Sequence, residues 1–415
     1  MDLERTDRRH VIQRAAMAGA GLVAGGAMAD AQEDEAMAAT FRVDDFGAKA
    51  DGTTDATQAA QDAIDAVAKA GAGRVHFPAG AYRLTRSLVL PGAMRCDVTG
   101  DGQSTRLLHE NEEPVLLWPE GSACRESSVR NLNIHSTTEK APDVPAIAVL
   151  GGAERSLFTN ILFDGPTSSG IWTERVIDTT TIEHCLFWGG VAGTGIRCAR
   201  GSEVRIIGGR IIGAHGGKAG TGIHLTENNG GVHVVTTDII GLETGMKIGE
   251  PGNQSNREIF ITHATFDGCG TGLWQVDHSY TSIAGCWAAS SDEAQILVDE
   301  SARGAILAIA GGTIFNGGAW NRPGAHHGMV VRAGSFTLSG VTVRNNKGIG
   351  LLVEEGVRDY AVTGCRIAEN GTGAVLRGDS YAFTGNVLAR NGEDLADEGG
   401  PTKEVAHNVI RAQTG

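Results

Sequence analysis

Five residues recur one place beyond a glycine–aliphatic step: Trp172 in SGIWTE, Arg197 in GTGIRC, His224 in GTGIHL, Lys247 in ETGMKIG and Trp274 in GTGLWQ. Each step reads as a short strand in which Ile171, Ile196, Ile223, Met246 or Leu273 points inward and the next side chain points out. The outward position continues as Leu297, Val330, Leu352 and Val375. Just past the strand ends stand Glu174, Glu227, Glu250, Asp277 and Asp299 at nearly equal offsets. Cations in a row suit carboxylates or sulfates, and flat indole faces suit sugar rings. A base there (Lys247 or Arg197, with His224 also placed for it) would take the proton next to a uronate carboxylate, with neighbouring cations stabilising the enolate. Trp172, Trp274, Glu174 and Glu250 would line the groove, with His215 on the preceding loop.

The acidic row has three uses. It could pair with the cations, or hold a calcium ion through Glu227, Glu250 and Asp277. It could also supply acid and base for hydrolysis. Glu227 and Asp277, two strands apart, would stand about 9.6 Å from each other, near the spacing of an inverting pair. The column also reads as an ordinary solvated face with weak surface ion pairs. Its aliphatic end, with a second outward set (Leu162, Leu186, Ile207, Val235), leaves room for a subunit interface, as in a homotrimer.

These residues are positioned by a repeat. EVRIIGGRII, GVHVVTTDII, EIFITHATF, YTSIAGCWA, SFTLSGVTV, DYAVTGCRI and SYAFTGNVL are its clearest copies. Their last apolar residues align as Phe163, Phe187, Ile211, Ile239, Phe266, Ala288, Ile314, Val343, Ile367, Leu388 and Ile410, at steps of 21 to 29 residues. Such a step is too short for a strand–helix–strand unit and is filled by three short strands and their turns. Stacked copies bury one continuous core. The spacing predicts an all-β, single-stranded right-handed parallel β-helix of roughly eleven coils. Asn131, Asn160, His184, Gly208, Thr236, His263, Gly285, Gly311, Gly340, Gly364 and Gly385 fall at one corner and are expected in the left-handed conformation. Cys185, Cys286 and Cys365 share the next, inward position and read as a buried thiol stack.

The chain of 415 residues carries 60 glycines and a formal charge of −14, with no basic stripe for nucleic acid. Residues 1–31 combine Arg8 and Arg9, an Ala/Gly/Val run and small residues at Ala27, Ala29 and Ala31, a twin-arginine signal layout. Export to the periplasm or medium is therefore expected, and no later segment could span a membrane. Residues 41–94 hold opening strands and a helix at 54–69 that caps the β-helix, whose coils run over 95–411. Seven cysteines without CxxC spacing argue against a disulfide framework. HExxH, GxSxG and P-loop motifs are absent. NGGAWNRPGAHHGM offers Trp320, Arg322, His326 and His327 as a cleft wall, and GAHGGKAG offers His215 and Lys218.

VDDFGAKADGTTDATQAAQDAIDAV and GRVHFPAGAYRL, within 43–84, resemble the opening segment of the pectate lyase superfamily, which includes rhamnogalacturonase- and epimerase-like domains. The similar pattern there is DFGAK-DG-TDDT, a capping helix, then V-FP-G-Y. The resemblance implies the right-handed β-helix. It also implies an exported carbohydrate-active enzyme, commonly a lyase of acidic polysaccharides or a polygalacturonase-like hydrolase, sometimes trimeric. The NTD, DD, GHG and RIK blocks of the hydrolases are missing in that order; GAHGG and MKIG are not their equivalents. The expectation is a polysaccharide lyase acting by β-elimination. A glycoside hydrolase or glycosyl-transferring enzyme using a carboxylate pair, and a non-catalytic glycan-binding β-helix, stand beside it.

Overall fold

The computed structural model describes residues 39–138, 144–165, 169–213, 219–252 and 256–410. The signal segment at 1–31 lies outside them, as do His215 and Lys218.

The strands wind into a right-handed parallel β-helix. Among the described residues thirteen strands, one per coil, form its smaller sheet, and the larger sheet takes two strands per coil across a corner. The register places the final apolar residues of the repeat directly over one another, from Phe163 on Phe187 to Leu388 on Ile410. Three further rungs precede them: Tyr82 pairs with Leu107, Leu107 with Ile134, and Ile134 with Phe163. The helix therefore has about 14 turns, not eleven. Ile134 escapes the aligned set because Ser128–Ser136 runs as a single strand through the corner at Asn131, without a glycine to mark it, and Tyr82 and Leu107 belong to the opening strands Gly80–Leu84 and Thr105–His109.

The corner itself is as the sequence places it. All eleven residues from Asn131 to Gly385 have φ between 49° and 67°. At Gly208 and Gly285 a side chain would also press on the imidazole one coil earlier, His184 or His263. The seven cysteines are free and buried. Burial pushes the Cys185 thiol up to about 12, and Cys286 and Cys365 rise for the same reason. They do not form a continuous stack, since other coils intervene. Each thiol instead donates to a main-chain carbonyl of the coil before, Phe158, Ile261 or Leu338.

The α-helix is Thr57–Ala70. It buries Ala60, Ala63, Ile64 and Val67 over the opening strands and ends at Gly71 in the left-handed conformation. The helix starts three residues later than the expected 54, and the Asp55 carboxylate accepts the Thr57 amide at 2.9 Å.

Candidate functional site

The column exists as a column. Trp172 pairs with Arg197, Arg197 with His224, His224 with Lys247, and Lys247 with Trp274 on five successive strands of the smaller sheet. The Arg197 guanidinium lies 4.8 Å from the Trp172 ring centroid, and the Lys247 ammonium 5.4 Å from that of Trp274. Each cation thus rests on the indole face of its neighbour. His224 occupies the middle rung, its side chain 13% exposed.

Carboxylates flank this row. Glu174 receives Arg197 at 3.1 Å and Arg200 at 2.5 Å, and Arg200 also reaches Glu227 at 3.4 Å. Glu250 receives Lys247 at 2.6 Å and stands 3.0 Å from His224 Nε2, though the angle is wrong for a hydrogen bond. The Trp274 indole donates to Asp299 at 3.2 Å. Arg200 is the residue the sequence reading missed. It stands three places beyond Arg197, the offset that Glu227 has from His224, and at a positive φ of 52°.

Burial holds His224 far below its usual pKa, at about 4. Glu250 pulls the other way, while Lys247 and Arg197 add to the lowering. His224 is accordingly a neutral imidazole between two cations at pH 7. The unfolded chain takes up a proton here below about pH 6.5. The folded chain resists until about pH 4, so this group's contribution falls as pH drops through that window. The loss is on the order of 3 kcal/mol. Urea unfolding at pH 7 and pH 4.5 tests this. His224→Gln is expected to lose distinctly less stability between the two than the native chain; an equal loss would assign the effect to other groups.

Several sequence expectations need correction. Asp277 is not in the groove. It is 3% exposed, lies against Gly249, and accepts the Asn256 amide at 2.8 Å, the Asn256 side chain at 2.7 Å, the Ser279 amide at 3.0 Å and the Ser279 hydroxyl. Its oxygens are fully used in holding a turn, so it cannot act as acid, base or ligand. The calcium trio Glu227, Glu250 and Asp277 fails with it: among the described residues no three His, Cys, Asp or Glu converge as a metal site. Val330, Leu352 and Val375 are covered within the chain, packed with Ala294, Leu297 and Ile349, so that strip needs no subunit to bury it. His327 is structural, its Nδ1 accepting the Ile349 amide at 2.9 Å, and burial lowers its pKa. Trp320 is exposed, with its indole nitrogen near Gly268.

Two family models tile the chain. One, described as rhamnogalacturonase A/epimerase, pectate lyase-like, matches residues 40–206. The other, described as periplasmic copper-binding protein (NosD), matches residues 202–409, half of the chain. The chain belongs to the pectate lyase-like right-handed β-helix superfamily. Among solved structures, the bacteriophage phi29 gene product 12 N-terminal fragment has a TM-score of 0.62 at 13% identity, over 83% of this chain and 66% of that one. A family 28 exopolygalacturonase of Yersinia enterocolitica has a TM-score of 0.51 at 14% identity, over 90% and 79%. Both likenesses concern the fold. An alginate lyase of Azotobacter vinelandii is 58% identical over 45 residues, 11% of this chain and 5% of the lyase. For the copper in the NosD description, the cysteines are core residues and among the described residues no three His, Cys, Asp or Glu side chains converge.

Proposed function

We propose that this chain is an exported enzyme that acts on an acidic polysaccharide and cleaves it by β-elimination at the Trp172–Trp274 column. The observation that carries this reading is a neutral, largely covered imidazole between two cations, with an indole beyond each. A uronate carboxylate can lie against Arg197 and Lys247 while its ring meets an indole face. His224 then takes the proton from the carbon bearing that carboxylate. The electron pair spreads into the carboxylate as an enolate, which Arg197 and Lys247 stabilise. It next forms the ring double bond as the glycosidic C–O bond breaks, and the leaving oxygen receives a proton from the imidazolium. Glu174 and Glu250 hold the two cations in place. The bound carboxylate, a negative charge beside His224, also raises its pKa and makes it a stronger base.

Support comes from the names of relatives matched over the short segment, an alginate lyase and a mannuronan C5-epimerase, both named for uronate polymers. The hydrolytic alternative through Glu227 and Asp277 lacks its second carboxylate, because Asp277 is enclosed.

Incubation with alginate, pectate and a glycosaminoglycan tests the proposal. One of them is expected to yield an unsaturated product, seen as rising ultraviolet absorbance. New reducing ends without that absorbance would mean hydrolysis, and neither signal from any uronate polymer would remove the enzyme reading.

A further inference from the structure

A second group of cations lies on the larger sheet, in the first coils, away from the column. Thr40, Arg74, His76, Thr99, Arg130 and Asn131 line an open cleft of about 410 Å³. The register explains the convergence: Thr40 stacks on Arg74, His76 on Thr99, and Thr99 on Arg130. Side chains from four successive coils thus meet on one outward face.

Most donors of this cleft have no acceptor, while one oxygen of Asp97 beneath it has no hydrogen bond and Asp101 stands 3.4 Å from His76 Nε2. Thr99 Oγ1 is within 3.2 Å of His76 Nδ1 and 3.5 Å of the Val75 carbonyl. Asp97, beneath the arginines and 1% exposed, accepts the Ser128 amide and hydroxyl through one oxygen. Its other oxygen lies 3.8 Å from Arg95 and 3.7 Å from Arg130, beyond hydrogen-bond reach. Asn131 Oδ1 is taken by Asn160 at 2.9 Å, which leaves the Asn131 amide N–H2 to donate. Among the described residues the Arg74 guanidinium has no ion pair, and its Nε is buried without an acceptor. Arg130 has only its distant approach to Asp97. A buried donor left unmade costs about 1–3 kcal/mol, which a bound acceptor would recover.

We infer that the Arg74–Arg130 cleft binds the carboxylate group of an acidic glycan chain. Two guanidinium forks and a side-chain amide outnumber the single free oxygen of the buried Asp97, which favours a planar anion over a neutral sugar or a cation. The cleft and the column lie on different sheets, so this site anchors the polymer and takes no part in cleavage. That the anion belongs to a glycan rests on the function proposed above, whereas the preference of the cleft for a planar anion does not.

Calorimetric titration of the full chain with a galacturonate trisaccharide, and separately with sodium sulfate, tests it. The background is Arg197→Gln/Lys247→Met, which disables the column. Trisaccharide binding is expected to persist there and to weaken at least tenfold on adding Arg74→Gln. Arg74 has no ion pair among the described residues to lose, so that change leaves the fold intact, which the melting temperature checks. Arg74→Lys, which keeps the charge without the fork, is expected to fall between. Binding that is absent in the background variant, or indifferent to Arg74→Gln, overturns the inference. Sulfate binding without trisaccharide binding also overturns it, by reducing the cleft to a small-oxyanion site.

Discussion

Replacing His224 with glutamine is expected to lower turnover on the uronate polymer by about a thousandfold, within the range for loss of a positioned general base. Glutamine approximates the imidazole's size and polarity but cannot take the proton. The substitution leaves the cation–indole contacts of Arg197 and Lys247 in place. KM is therefore expected to move little while kcat falls, the pattern of a group that acts in the transition state. Lys247→Met is the companion change. It removes the charge that meets the enolate and uncovers Glu250, so kcat and KM should both worsen, kcat by about a hundredfold. The pH profile separates a base from a structural histidine. His224 must be neutral to act, so activity fails as pH falls. For the free enzyme the acid limb of kcat/KM is expected near pH 4, where burial holds this group. The acid limb of kcat should lie at higher pH, because bound carboxylate raises the same pKa. His224→Gln with undiminished kcat would end the assignment.

The rungs of the helix were legible because each coil repeats the same few decisions. A left-handed corner, an inward aliphatic and an outward neighbour recur every coil, so one misread copy is outvoted by the rest. The Trp172–Trp274 column follows from strict alternation within a strand, which is why its register could be written down in advance. The acidic row could not be treated in that way. Glu250 and Asp277 have the same offset from Lys247 and Trp274, but the strand has ended and alternation no longer governs direction. Glu250 turns back to Lys247, whereas Asp277 folds over Gly249, whose missing side chain makes the space. The aliphatic run failed for a different reason. Val330, Leu352 and Val375 stack on each other across coils about 4.8 Å apart and lose their exposure without a partner. The basic cleft was invisible in sequence because Arg74 and Arg130 are 56 residues apart and belong to the coils whose repeat is least regular.

Asp277→Ala is expected to cost about 3–5 kcal/mol of stability, the scale of removing one partner from a buried charged network. Asp277 ends a ladder in which Asn229 bonds Asn256 through both its amide (2.9 Å) and its side chain (2.7 Å), and Asn256 bonds Asp277 in the same two ways. Asn229 takes the Gly201 amide on its oxygen, Asn256 takes two hydrogen bonds on its own, and both pass on the donors of their amide and side chain. The last member must accept without having to donate, which a carboxylate does. A second ladder, Asn346–Asn370–Asn391, closes in the same way on Asp394. Asp277→Ala leaves the Asn256 amide and the Ser279 amide buried without acceptors, while the Asn256 side chain keeps the Leu225 carbonyl. Asp277→Asn keeps the oxygen facing Asn256 but turns its own N–H2 toward the Ser279 amide, donor against donor. It is expected to lose less, about 1–2 kcal/mol. Thermal or urea unfolding should therefore rank the native chain first, the Asp277→Asn variant second and the Asp277→Ala variant last. The ladder lies under the coils that carry His224 and Lys247, so the alanine variant is expected to lose activity through unfolding, with kcat per folded molecule nearly retained at low temperature. A chemical role for Asp277 would invert that result, with a normal melting temperature and no turnover.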